Sequence, residues 1–389
     1  SGHATKPLAH YGKWYHEHGG KDEWAIAKPL EGFDACPVTT MPESLHDSMF
    51  VGERAAAYIT EHANDEQPFF LTASFPDPHH PFNPPLETAL RYKDAPVKMP
   101  VNEDDDLHTR PRHYHYHQYG VWHRAGLLHP LPDMPEEDKE KCGKCADQIA
   151  QFMDEKILQG LGLLTHGDSS GEEYKPSVLS AHERDQRIRN TYAMVDLIDK
   201  GVGKILDALK ETGALEDTVI IFTADHGELM GDHGLWLKGP FFYDGLVNVP
   251  LMMHAPENNA SVTEALASSV DIYPTCCELL GVPTPRSCDG MSQAPALRGE
   301  KVRKECLFEY RNGYFENDVY NLGYVDEKYK FIQYQNGDVE MTDRINDPEE
   351  NVNIVYNGAN PELLAEYRNK MLNMVLNTAS KFPEQYSHA

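Results

Sequence analysis

Gly213-Ala214-Leu215-Glu216-Asp217-Thr218-Val219-Ile220-Ile221-Phe222-Thr223-Ala224-Asp225-His226-Gly227-Glu228 is the stretch on which the reading of the fold turns. Residues 218–223 form an uninterrupted run rich in β-branched side chains, the composition of a strand covered by helices on both faces. Residues 182–211 precede it with apolar side chains at Ile188, Tyr192, Val195, Ile198, Val202, Ile205 and Leu209, a helical period. Gly213 stands where a helix C-cap belongs. A long helix, a short turn and a buried strand make one αβ unit of a doubly wound sheet. Ligand sites in such sheets lie beyond the carboxyl ends of strands, where this chain carries Asp225 and His226. That pair can ligate a cation, with Gly227 letting the chain turn sharply. The competing reading makes Asp225 the cap of a following helix.

Outward from this stretch, Gly231-Asp232-His233-Gly234 reads as a polar loop with a second Asp-His pair. Lys238 is either a point-charge contact for an oxyanion or a solvated surface lysine. Residues 249–254 predict another strand, and 269–280 a helix ending at Gly281. From residue 305 the pattern changes to short strands at 306–310, 321–325 and 329–334, with an Asn336-Gly337 turn. Residues 361–380 predict a terminal amphipathic helix. Upstream, residues 44–63 have helical spacing. The compact apolar run 69–75, closed by Pro76 and Asp77, predicts a buried strand. Residues 1–31 show no clear period and read as loops, and 84–135, rich in Pro and His, as a long surface excursion.

The chain has 389 residues, of which 40% are hydrophobic and 25% charged, a globular composition. No apolar run is long enough for a membrane span. With 35 Lys and Arg against 62 Asp and Glu, the net charge is −27. Such a surface repels nucleic acid, and no nucleic-acid partner is expected. An anionic substrate must be held by a local cluster of cations against that global field. The cysteines number 7, too few and too scattered for a disulfide framework; Cys276 and Cys277 read as small core residues, and the usage leans towards a reducing compartment.

The segment Asp225-His226-Gly227-Glu228-Leu229-Met230-Gly231-Asp232-His233-Gly234-Leu235-Trp236-Leu237-Lys238-Gly239-Pro240-Phe241-Phe242-Tyr243 resembles the signature stretch of the sulfatase family, within the alkaline phosphatase superfamily. Phe69-Phe70-Leu71, Phe75 and Pro78-His79-His80-Pro81-Phe82 are similar to the family's strand and Pro-His-x-Pro loop. Gly12-Lys13-Trp14 is similar to its Gly-Lys-Trp-His motif, and residues 192–209 and Asp347-Pro348-Glu349-Glu350-Asn351 also look alike, so the resemblance spans nearly the whole chain. It implies that Asp225 ligates a divalent cation, usually calcium in the family, with His226 beside it. Lys13 and Lys238 would contact the sulfate oxygens, and His79 would face the sulfate and assist the leaving oxygen. Fixed cations and a metal stabilise charge that moves to the ester oxygen as the S–O bond breaks. The substrate implied is a small-molecule or carbohydrate sulfate ester. Phosphonate or phosphate ester hydrolysis is the alternative within the superfamily, and a non-catalytic member the alternative outside it.

Two departures qualify the resemblance. Where the family places His after Trp, this chain has Tyr15, with His16 next; either His16 takes the role or the role is absent. The family's paired Asp ligands and its Cys- or Ser-x-Pro-x-Arg segment, whose first residue becomes the formylglycine nucleophile, have no counterpart; Cys36, Cys142, Cys145 and Cys288 sit in other contexts. The expectation is therefore a fragment, weak in metal binding and inactive alone, since a hard cation wants about six to eight oxygen ligands.

Other clusters are weaker. His113, His115 and His117 with Cys142 and Cys145 could form a zinc site or simply a polar insertion loop. Tyr114, Tyr116, Tyr119 and Trp122 could stack on a sugar ring or pack that loop. The acidic run from Glu103 reads as a solvated face. The expected architecture is α/β, with a mainly parallel central sheet flanked by helices. It occupies residues 1–300, with 84–175 as an insertion around the pocket, followed by a subdomain at 301–389 with a short antiparallel sheet and a terminal helix.

Overall fold

The computed structural model describes residues 9–103, 109–111, 114, 180–256, 261–312 and 319–379. Histidines 113, 115 and 117, Cys142, Cys145, Tyr116, Tyr119 and Trp122 lie outside the described residues. The chain divides into two compact units: residues 1–100 with 116–215, and 101–115 with 216–389.

In the first unit, residues 9–17 and 22–25 are helical where loops were expected. Helix α1 spans Ala9–Glu17 and α2 spans Asp22–Ala25. Tyr11, Trp14 and Tyr15 stand at i, i+3, i+4 spacing, and Tyr15 is fully buried in a cluster with Ala25, Met41 and Leu45. Aromatic burial, rather than an aliphatic stripe, holds this segment. Strands β1 (Lys28–Leu30) and β2 (Phe33–Val38) form a hairpin through Gly32, whose φ of 80° suits glycine. Helix α3 spans Asp47–His62, α4 spans Leu86–Tyr92, and α5 spans Ala181–Glu211. A capping box of Ser180 and Glu183 starts α5. Gln186 on α5 accepts from the Cys36 amide at 2.9 Å, and Asn190 donates to the Phe82 carbonyl at 2.7 Å, so α5 pins both β2 and the loop beyond residue 75. Helices α3 and α5 cross at Gly52 and Gly201, where a Cβ on Gly52 would sit 2.7 Å from the Gly201 backbone.

Residues 69–75 are not a buried strand. They form no regular element, and Phe70 is 80% exposed. Residues 71–74 and α3 line an open groove of about 550 Å³. The run has strand composition, but no neighbouring strand pairs with it among the described residues, and burial of a strand is conferred by its neighbours.

In the second unit, β3 (Ile220–Thr223) and β4 (Leu251–His254) occur at the expected positions and pair antiparallel, Ile220 opposite His254. Every described strand pair is antiparallel; parallel pairing among the described residues is confined to the isolated bridge of Thr39 with Pro85. Helix α6 spans Asp244–Val247 and α7 spans Ile272–Leu279, holding Cys276 and the buried Cys277, both free thiols. The expected C-terminal antiparallel sheet and terminal helix are present, as the meander β5 (Glu305–Asn312), β6 (Val319–Asp326), β7 (Tyr329–Tyr334) and β8 (Val339–Asp343), with α8 at Pro361–Ala379. Tyr367 and Met371 of α8 are buried against Tyr324, Phe331 and Met341 of the sheet. Each such side chain contributes roughly 1.5–3 kcal/mol by leaving water. Among the described residues no helix is long and apolar enough to cross a membrane.

Candidate active site

The loop after β3 is set by backbone geometry. A Cβ on Gly227 would lie 1.9 Å from the Gly245 carbonyl oxygen, so no other residue fits there. Met230, Gly231, His233, Gly234 and Leu237 all have positive φ, between 52° and 101°. Three of these are not glycine, a strained run that surrounding structure must enforce. The enforcing contacts are buried: Leu229, Leu235, Phe241, Phe242, Tyr243 and Leu246 join one core cluster with Tyr114, Ile332 and Tyr334. His233 stacks on Tyr243 with centroids 4.0 Å apart, and Asp232 accepts from the Val101 amide at 2.8 Å. The second Asp-His pair therefore braces the loop. Lys330, buried beneath, donates to the Phe242 carbonyl at 2.8 Å and pairs with Glu350 at 2.7 Å and with Asp244.

This scaffold brings three expected residues together. No helix follows Asp225, so its capping reading is gone. Its carboxylate is 88% exposed, accepts from its neighbour's amide at 2.9 Å, and lies 3.6 Å from His226 Nε2. His226 Nδ1 meets the Gly227 carbonyl at 2.8 Å, which makes Nδ1 the protonated nitrogen and leaves Nε2 a lone pair. Lys238 Nζ donates to that lone pair at 3.0 Å. A carboxylate, an imidazole lone pair and an ammonium thus share one partly open surface. Asp225 and His226 are donors of the right kind for a divalent cation, but two donors are too few to hold a hard ion, and His226 Nε2 is already engaged by Lys238.

The other three expected residues lie in the first unit. Lys13 on α1 is 79% exposed and pairs with Glu17 at 3.8 Å. His16, one turn on, faces solvent and pairs with Asp22 at 3.4 Å, while Tyr15 takes the buried position after Trp14. His79 is half-buried, with Nδ1 2.7 Å from the His80 carbonyl and the two rings 4.0 Å apart. Tyr114, a candidate for sugar stacking, is 1% exposed, donates to Glu340 at 2.6 Å and packs edge-on against Phe241, so it serves the core.

A cluster absent from the sequence reading stands at the start of α3. His46 Nδ1 lies 3.0 Å from Asp47 Oδ1 and 3.5 Å from Asp77 Oδ2, and Ser48 Oγ donates to Asp77 at 2.7 Å. Burial pushes the Asp77 carboxyl up to about 6, opposed by the His46 imidazole and reinforced by the Asp47 carboxylate. Asp77 is 30 positions from Asp47 in sequence, so no local spacing announces the group.

The sulfatase family profile matches residues 12–282, and that of the N-sulphoglucosamine sulphohydrolase C-terminal region matches 231–377. The chain belongs to the sulfatase family. It is 27% identical over 369 residues to the multifunctional alkaline phosphatase superfamily protein PehA of Trinickia caryophylli, covering 89% of this chain and 62% of the relative. The N-acetylglucosamine-6-O-sulfatase of Bacteroides thetaiotaomicron is 24% identical, with 88% and 65% covered. The solved phosphonate monoester hydrolase of Agrobacterium radiobacter shares the fold at a TM-score of 0.67 and 22% identity, covering 95% of this chain and 69% of that one. These neighbours carry the alkaline-phosphatase-like α/β fold expected from the sequence. The chain spans about six-tenths of the length of the curated relatives it matches. The family generally binds a divalent metal.

Proposed function

We propose that this sulfatase chain is part of a hydrolase of sulfate monoesters, acting on a small-molecule or carbohydrate sulfate. The observation that carries the reading is the contact of Lys238 with His226 at 3.0 Å beside the open Asp225 carboxylate, at the C-terminal end of β3. Lys238 supplies a fixed positive charge to the sulfate oxygens, and His226 aims it by accepting one of its three N–H bonds. Asp225 contributes a ligand to a divalent cation, calcium in this proposal, which when bound would supply Lewis-acid polarisation; His226, whose Nε2 lone pair accepts from Lys238, joins it as a ligand only where that hydrogen bond is given up. Lys13 contacts the sulfate oxygens, and His79 offers Nε2 towards the leaving oxygen, since Nδ1 is engaged by a carbonyl. His16 takes the role of the histidine the family places after Trp. No residue of this sequence is assigned as nucleophile.

The test is hydrolysis of an aryl sulfate and an aryl phosphonate by the full-length protein and its Lys238→Ala variant. Sulfate turnover should fall on the order of 10²–10³-fold in the variant, the cost of one lost oxyanion donor. Equal turnover by both proteins would remove Lys238 from the site. Phosphonate cleavage with sulfate cleavage at background would favour the alternative, the activity named for the phosphonate monoester hydrolase of similar fold.

A further inference from the structure

We propose that Asp77, held by Ser48, is a positioning residue for His79; the inference rests on the reading of His79 as the group that faces the leaving oxygen. His79 lies in Pro76-Asp77-Pro78-His79-His80-Pro81-Phe82, where three prolines bring no backbone N–H. Two buried anchors place this loop. At its far end the Phe82 carbonyl accepts from Asn190 Nδ2 at 2.7 Å and from the Cys36 thiol at 3.2 Å, and Phe82 itself is buried. At its near end, two residues before His79, Asp77 Oδ2 accepts from Ser48 Oγ at 2.7 Å. Ser48 is fully buried in the first turn of α3, and its amide caps that helix by donating to His46 Nδ1 at 3.3 Å. That bond takes the Nδ1 lone pair, so Nδ1 donates nothing to Asp77, and the Ser48 hydroxyl is the donor to this carboxylate among the described residues. The Asp77 side chain is 8% exposed, and burial pushes its carboxyl up to about 6, a cost that the Ser48 bond partly offsets. Without the hydroxyl the carboxylate is drawn towards water. Pro78, whose ring fixes φ, joins Asp77 to His79, so a shift of Asp77 is passed on rather than absorbed. His79 Nδ1 donates to the His80 carbonyl at 2.7 Å, so the ring reaches a leaving oxygen through Nε2. Misplacing such a group by about 1 Å costs on the order of 10²-fold in rate.

The experiment compares phenyl sulfate with nitrophenyl sulfate, esters of nearly the same shape whose leaving oxygens differ in basicity, on the full-length protein and its His79→Ala, Ser48→Ala and Asp77→Ala variants. A hydrogen bond or proton given to the leaving oxygen matters more as that oxygen becomes more basic. His79→Ala should therefore lose far more kcat on phenyl sulfate than on nitrophenyl sulfate. Ser48→Ala and Asp77→Ala should show the same bias, losing on the order of tenfold and 10²-fold on phenyl sulfate with KM little changed. A purely structural role would lower both esters alike. Ser48→Ala, which removes one hydroxyl, keeps the test valid if Asp77→Ala misfolds. A bias present in His79→Ala and missing from Ser48→Ala overturns the inference and leaves the reading of His79 standing. No bias in His79→Ala overturns that reading and the inference with it.

Discussion

Gly201→Ala and Gly203→Ala, two residues apart on α5, should shift stability in opposite directions. Both replacements gain helix propensity, about 0.8–1.0 kcal/mol each, by removing backbone freedom from the unfolded chain. They differ in what the new methyl meets. At Gly201 it would lie 2.6 Å from the Phe75 ring and 2.8 Å from the Ser48 carbonyl oxygen, while at Gly203 nothing lies within 4 Å. The ring can give way, but the carbonyl belongs to α3, so the two helices must part. Overpacking of this kind costs about 1–3 kcal/mol, which outweighs the propensity gain at 201 and is absent at 203. Subtracting one variant from the other cancels propensity and isolates the clash. Urea unfolding followed by helical circular dichroism measures both. Stabilities of the two variants within about 0.5 kcal/mol of each other would refute the reading of the α3–α5 crossing as a glycine contact.

Asp271 accepts from the Met291 and Ser268 amides, Gln293 and Arg303, and both charged partners are buried. Asp271→Asn should cost about 3–5 kcal/mol in urea unfolding by leaving Arg303 uncompensated, and adding Arg303→Met should recover much of it; a double variant no better than the single would refute the pairing. Glu43 is buried enough to be pushed up, yet hydrogen bonds from Lys200 at 2.5 Å, Arg91 at 2.6 Å and Thr88 at 2.9 Å outweigh that and hold its carboxyl down at about 2 from 4.5. Its stabilisation is therefore fully present above pH 4.5 and is lost as pH falls towards 2. The stability gap between wild type and Glu43→Gln should close over that window, and a constant gap from neutral to acid pH would count against it.

What the sequence disclosed depended on how local the cause was. Helix α5 and strand β3 were legible because a long apolar period and a β-branched run each specify their own backbone. The aromatic triplet Tyr11, Trp14, Tyr15 carried the signal of α1 in equally local form, and aliphatic periodicity was the wrong measure for it. Residues 69–75 mark the opposite case: their composition specifies an extended chain, but whether it is buried depends on neighbours elsewhere in sequence. The same holds for chemistry. Asp225, His226 and Lys238 fall within one loop, so their assembly could be anticipated, although only coordinates show that Nδ1 is spent on the Gly227 carbonyl and that Nε2 receives the lysine. The His46, Asp47 and Asp77 group joins a helix start to a distant loop and had no local signature.

Charge alone does not choose between the two ester classes at the Lys238 site. A sulfate monoester and a phosphonate monoester each carry one negative charge at neutral pH, so a lysine attracts both alike, whereas a phosphate monoester carries nearly two. The acidic surface, net −27, opposes all three, but its distant charges are screened beyond about 8 Å at physiological salt, while Lys238 acts at contact. Discrimination between sulfate and phosphonate must then come from shape: three terminal oxygens on sulfur against two oxygens and a carbon substituent on phosphorus.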